Sequence, residues 1–312
     1  MKNKIRYIPT IIFASVIVVG ISIMLYPVII SAINSSKETH IIAEYSEKVK
    51  ELRQANYDYL FEETRKYNQS LTNDNIVDAF SKDNSEDNEE YNKLLNINND
   101  GVIGYLKIPK IDVNLPIYHG TSTKVLEKGV GHFEKSSLPI GGEGTHSILS
   151  GHRGLPSSRL FSDLNQLQEG DLFYIYVLDQ ILAYKVDKIS VVEPDDIENL
   201  KMEEGHDYVT LVTCTPYAIN THRLLVRGTR ISYNEEEFKS IKVNKKLSTS
   251  DITLIGGLVT VVIIIASSFV IIKKVKMYNK THPIVKKEKK KFKIMKKKPS
   301  DMEIAFPKLK DK

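Results

Sequence analysis

Two charge-free apolar stretches constrain this 312-residue chain more than any other feature: IPTIIFASVIVVGISIMLYPVIISAI over residues 8–33 and ITLIGGLVTVVIIIASSFVII over residues 252–272. Each reaches or exceeds the about 20 residues that an α-helix needs to cross a bilayer. The first outruns the about 7 to 15 apolar residues of a cleaved signal peptide, so it reads as a retained anchor. Flanking charge orients both. Lys2, Lys4 and Arg6 precede the first without an acid, and 16 lysines against Glu288, Asp301, Glu303 and Asp311 follow the second. The positive-inside rule then gives a two-pass cell-membrane protein, with segments 1–7 and 273–312 cytoplasmic and residues 34–251 outside as one large loop. Beside a membrane helix, the basic tail serves topology and anionic headgroups rather than nucleic acid.

The outer loop changes character along its length. Over residues 36–68, apolar side chains such as Ile41, Tyr45, Val49, Leu52 and Leu60 recur mostly every three or four residues, which predicts a helical stalk (34–71) between membrane and domain. Residues 72–99 are polar and acidic and read as a mobile surface segment interrupted by Asp78-Ala79-Phe80. A domain over 100–233 follows. VIGYLKI, VNLPIYHG, GVGHF, HSILSGH, DLFYIYVL, ILAYKVDKISVV, YVTLVTC and HRLLVRGTRI make about eight β segments divided by Gly, Pro, Asn or Asp, a pattern that predicts a barrel or a sandwich. Short helices are expected at 123–127 and at 157–167, the latter with Leu160, Phe161, Leu164 and Leu167 on one face. A linker over 234–251 leads back to the membrane.

The only cysteine, Cys214, ends the YVTLVTC segment, and His222 and Arg223 begin the next one after a turn-rich link. A thiol and a guanidinium can thus lie side by side. A free thiol titrates near about 8.5, and a neighbouring cation favours the nucleophilic thiolate. A lone cysteine in a strand is most often a small buried hydrophobe. Outside the cytoplasm, however, an unpaired thiol is a liability unless it is used. His119, His132, His146, His152, His206 and His222 are candidate partners. His152 stands out because it closes a β segment at SILSGHRG, whereas His222, adjacent to Arg223, points away from it by strand alternation. No Cys-x-x-Cys or His-Glu-x-x-His pattern invites a metal.

The segments TLVTCTPYAINTHRLLVRGTRI, GTHSILSGHRGLPSSRLFSDLNQLQEGD and IGYLKIPKIDVNLPIYHG resemble the sortases of Gram-positive bacteria, in particular the pilin-polymerising class C. The resemblance implies an eight-stranded β-barrel between two membrane anchors, acting as a cysteine transpeptidase without a cofactor. It implies Cys214 as nucleophile, His152 as general acid/base and Arg223 as oxyanion stabiliser, with Arg227 the nearby alternative. The implied partners are pilins or surface proteins with an LPxTG-like sorting signal, cleaved through a thioester that a pilin lysine amine resolves. Class C members carry a lid with an Asp-Pro-aromatic motif; Asp78-Ala79-Phe80 matches its acid and aromatic but lacks the proline. By that comparison Asp78 pairs with Arg223 and Phe80 shields Cys214.

Other readings are a sortase anchoring proteins to peptidoglycan, a plain cysteine protease, or a surface-anchored adhesin or pilin. The last would place LPxTG before the final apolar helix, where this chain has KKLSTSD; LPIGG at 138–142 lies between strands and reads as a turn.

Overall fold

The structure, a computed structural model, describes residues 8–73, 78, 80, 88–243 and 249–281. Segment 1–7 and the basic tail beyond residue 281 lie outside the described residues, as do residues 74–77, 79 and 81–87 of the predicted mobile segment and residues 244–248 of the linker. The chain divides into two compact units, residues 1–259 and 260–312.

The first unit opens with helix α1, Ile8–Glu51, which carries the first apolar stretch. Helix α2, Gln54–Ser70, and the short α3, Glu89–Lys93, follow. The predicted stalk is therefore two helices, broken at Leu52 and Arg53. It packs against the barrel rather than standing off from it: Tyr45, Val49 and Tyr57 are buried in the main core. The Tyr45 hydroxyl donates to the Ile103 carbonyl (3.2 Å) and accepts from the Leu178 amide (2.9 Å), so it ties the helix to a strand and to the turn after the fifth strand of the barrel.

Eight strands then close a barrel: β1 Val102–Ile108, β2 Val113–His119, β3 Val130–His132, β4 Thr145–Ser150, β5 Leu172–Val177, β6 Gln180–Val192, β7 Asp207–Thr215 and β8 His222–Ile231. Their order around the barrel is β1-β2-β3-β4-β7-β8-β6-β5. Closure leaves no open sheet edge. The β2/β3 and β4/β7 pairs are parallel and the others antiparallel. Alternate side chains such as Leu106, Ile117, Phe173, Val209, Leu211 and Val226 fill the interior. Gly104 is required where β1 meets β5, because a Cβ there would collide with the Tyr176 carbonyl.

Helix α4, Thr123–Leu126, occurs where a helix is predicted. Residues 157–167 do not form one. They run through turns to a single 3-10 turn at Leu164–Gln166, because Leu160 adopts φ 37°, outside the helical region, and the Phe161 amide donates to the His152 carbonyl (3.1 Å). Helix α5, Glu235–Ser240, follows the barrel, and α6, Thr249–Thr281, carries the second apolar stretch into the second unit. Among the described residues, two helices are long and apolar enough to cross a membrane, and neither apolar window is buried against protein.

Candidate active site

Strand register assembles the site. β4 and β7 run parallel, with Ser150 opposite Val212. The Gly151 amide continues the ladder to the Val212 carbonyl (3.0 Å), and the Thr213 hydroxyl donates to the Gly151 carbonyl (2.7 Å). Two residues on from that pair stand His152 and Cys214, at one level on adjacent strand ends. On the other side of β7, the antiparallel β8 sets Arg223 directly opposite Cys214. Side chains of directly opposed residues share a face. His152, Cys214 and Arg223 thus line one end of three neighbouring strands, with the thiol in the middle.

The same face continues downward as an apolar floor of Phe133, Ile148, Leu200, Val212 and Leu225, separate from the barrel interior. Phe80, Val192 and Ile197 pack against it.

Asp78 and Phe80 lie across this end of the sheet. The Arg223 guanidinium donates through Nε to Asp78 Oδ1 (2.9 Å) and through Nη2 to Oδ2 (2.6 Å). The two side chains are only 12% and 14% exposed, so this bidentate pair is shielded from water. The Phe80 ring lies 6.0 Å from the His152 ring and 5.2 Å from the Arg223 guanidinium carbon, and so contacts the groups on both sides of Cys214.

Electrostatics set the protonation states. Burial pushes the Cys214 thiol up; the Arg223 charge pulls it down and the Asp78 carboxylate pushes it up again, with a net rise. The sequence leads one to expect a cation-favoured thiolate, but burial, with Asp78 as a smaller contribution, outweighs the arginine. Burial also lowers His152, against an opposing pull from Glu127. Both shifts favour an uncharged thiol and imidazole while Asp78 is in place.

The other histidines are elsewhere. His119, His132 and His146 are buried, which holds them down to about 4, 3 and 4 respectively. His132 bonds the Tyr91 hydroxyl (2.8 Å), and His146 bonds Thr210 Oγ1 (2.7 Å). His206 stacks on Tyr208, and His222 contacts Thr221 Oγ1. Arg227 lies opposite Thr210, about 13 Å along β7 from Cys214 at 3.3 Å per residue. It is engaged by Asp187 (2.9 Å) and Glu203 (3.6 Å). Among the described residues, no group of three or more His, Cys, Asp or Glu side chains is arranged to hold a metal ion.

Sequence reasoning leaves Arg153 and Tyr217 without roles. Arg153 Nη1 donates to Thr215 Oγ1 (3.0 Å), and its guanidinium faces the Tyr217 ring at 6.0 Å, so the two pack together next to the end of β7. The available signal is adjacency: Arg153 follows His152, and Tyr217 lies three residues beyond Cys214.

A model of the sortase domain matches residues 106–231. The crystal structure of sortase C1 from Streptococcus agalactiae is 47% identical, with 62% of this chain and 100% of that chain covered and a TM-score of 0.58. The chain belongs to the class C sortases. A solved pilus-related sortase C of Group B Streptococcus is 44% identical, covering 60% of this chain and 95% of that one, with a TM-score of 0.56. Among curated relatives, sortase D of Bacillus subtilis (strain 168) is 32% identical over 132 residues, covering 41% of this chain. The class C chain spans 64% of that relative's length.

Proposed function

We propose that this class C sortase is a membrane-held cysteine transpeptidase that cleaves an LPxTG-like sorting signal and passes the acyl group to a pilin lysine amine, assembling covalent pili. The observation that carries the reading is the register setting Cys214 between His152 and Arg223. Similarity to a pilus-related sortase C of Group B Streptococcus, 44% identical, supports the substrate class.

In this mechanism the Cys214 thiol gives its proton to the neutral His152 imidazole as sulfur attacks the scissile carbonyl. Arg223 donates to the oxyanion. The tetrahedral adduct collapses to a thioester when His152 returns the proton to the leaving amine. An incoming amine then repeats the steps in reverse, losing its own proton to His152 and expelling the thiol. One covalent intermediate links two amide bonds, so the cycle needs no external energy source. Mass spectrometry of enzyme mixed with an LPxTG-like peptide should find the acyl fragment on the Cys214 peptide, and an added lysine-bearing acceptor should take it in preference to water. Hydrolysis alone would instead indicate a protease.

Asp78 and Phe80 act as a lid in this reading. With Asp78 on Arg223, the arginine cannot serve a substrate oxyanion and the thiol stays protonated. Burial is the main cause of the raised Cys214 pKa; Asp78→Ala removes the charge that adds to it and leaves Arg223, which lowers it. Iodoacetamide should therefore alkylate Cys214 at pH 7 faster in this variant, since a lower thiol pKa leaves more thiolate. Equal rates in parent and variant would remove the autoinhibitory role.

The two apolar helices support a two-pass topology with both termini cytoplasmic. In a Cys214→Ala background, Lys242→Cys should react with a membrane-impermeant maleimide on intact cells and Asp311→Cys should not. The reverse pattern would invert the topology.

A further inference from the structure

One stripe of α1 points at the barrel: Asn34, Glu38, Ile42, Tyr45 and Val49 are spaced by three or four residues and face inward. Its lower part docks the helix. Tyr45 and Val49 join the main core, and the Tyr45 hydroxyl bonds β1 and the β5–β6 turn. The upper part makes a different contact. Asn34 Nδ2 donates to the Ser157 carbonyl (2.9 Å), and the Ser158 hydroxyl donates to Glu38 Oε1 (3.0 Å). Glu38 is 9% exposed and Ser158 5%, so a carboxylate is held out of water against the segment that follows His152. Burying a charged side chain for helix docking alone is costly when apolar contacts already supply it.

From Ser158 the chain returns directly to the histidine. Leu160, at φ 37°, turns it back, and the Phe161 amide donates to the His152 carbonyl (3.1 Å). The Phe161 ring closes over Gly151, where an added Cβ would lie 2.7 Å from the ring. The Gly154 amide is tied to the Ser162 hydroxyl (3.1 Å). His152 lies beyond the end of β4, so its backbone is held by this 152–162 loop together with the Gly151 bonds to β7 and the Arg153–Thr215 bond.

We infer that Asn34 and Glu38, on the membrane-proximal part of α1, are positioning residues that hold the His152 loop in its productive geometry. The anchor helix is then a working part of the active site as well as a tether. This rests on His152 being the acid/base group. A small displacement of a catalytic group costs up to about 100-fold in rate without weakening substrate binding.

The test uses the full chain in phospholipid nanodiscs with a fluorogenic LPxTG-like peptide. Glu38→Ala and Ser158→Ala should each lower kcat about 10- to 100-fold with KM within about twofold of the parent. Their double variant should be no worse than either, since both break one bond. Glu38→Gln retains an acceptor oxygen for Ser158 and should recover most of kcat. The His152 limb of the pH–rate profile should move in the alanine variants and not in Glu38→Gln. Asn34→Ala, which leaves the buried carboxylate paired, should lower kcat in the same direction without a fall in Tm.

Parent-like kcat in Glu38→Ala, Ser158→Ala and Asn34→Ala would overturn the inference. So would losses that follow a drop in Tm equally in Glu38→Ala and Glu38→Gln. His152→Ala separates the two readings: if it is inactive while the loop variants match the parent, only this inference falls. If it turns over like the parent, the acid/base assignment falls first.

Discussion

Replacing Cys214 by alanine is expected to lower turnover of an LPxTG-like peptide by about 10^4-fold or more, with the fold retained. The size of the loss follows from covalent catalysis: without sulfur no acyl-enzyme forms, and the remaining groups can only polarise a bound amide. The fold should survive because Cys214 is half-buried at a strand end and makes no disulfide. Cys214→Ser separates reactivity from shape. A serine hydroxyl is a far weaker acid than a thiol, and the burial that already raises the Cys214 pKa would penalise an alkoxide more. The serine variant should therefore also form no detectable acyl-enzyme. Single-turnover fluorescence with circular dichroism as a fold control checks both. A serine or alanine variant turning over at the parent rate would end the proposal of a thioester.

How far the chain announces this site differs from residue to residue. The eight β segments are legible because β-branched and aromatic runs alternate with turn residues, and all eight become strands. Their pairing order is not legible. Nothing local tells β4 to pair in parallel with β7, 62 residues on from His152 to Cys214, yet that pairing brings the two together. Arg223 is easier to find: it needs only the β7–β8 hairpin, whose turn residues are on view. Leu160, Phe161, Leu164 and Leu167 are rightly read as buried and wrongly as a helix. Burial by spacing cannot separate a helix from a coiled loop when one backbone angle, at Leu160, decides. The Asp78–Arg223 pair spans 145 residues, and only likeness to a lid motif suggests it. Its effect on Cys214, opposite to that of the arginine alone, depends on shielding that no sequence pattern reports. The ties from Asn34 and Glu38 to the His152 loop leave no trace in the sequence beyond two polar residues on a helix stripe.

The second large effect concerns the choice between two arginines on β8. Arg223→Ala should lower kcat about 10^2- to 10^3-fold, the usual cost of losing one oxyanion donor, with a smaller change in KM. Register gives the reason, since Arg223 is the residue directly opposite Cys214 across the β7–β8 ladder. Arg223→Lys keeps the charge but loses the planar fork that now grips both Asp78 oxygens, so it should recover only part of kcat. Arg227 supplies the contrast. Its guanidinium is committed to Asp187 and Glu203 and lies over the Tyr208 ring at 4.1 Å. Arg227→Ala should act mainly through stability, lowering Tm while kcat of the folded fraction stays within about tenfold of the parent. Steady-state kinetics beside thermal denaturation separates the two. If Arg227→Ala loses the larger share of kcat at an unchanged Tm, a substrate-bound rearrangement of β8 must carry the oxyanion contact, and direct opposition across the β7–β8 ladder is not what selects the catalytic arginine.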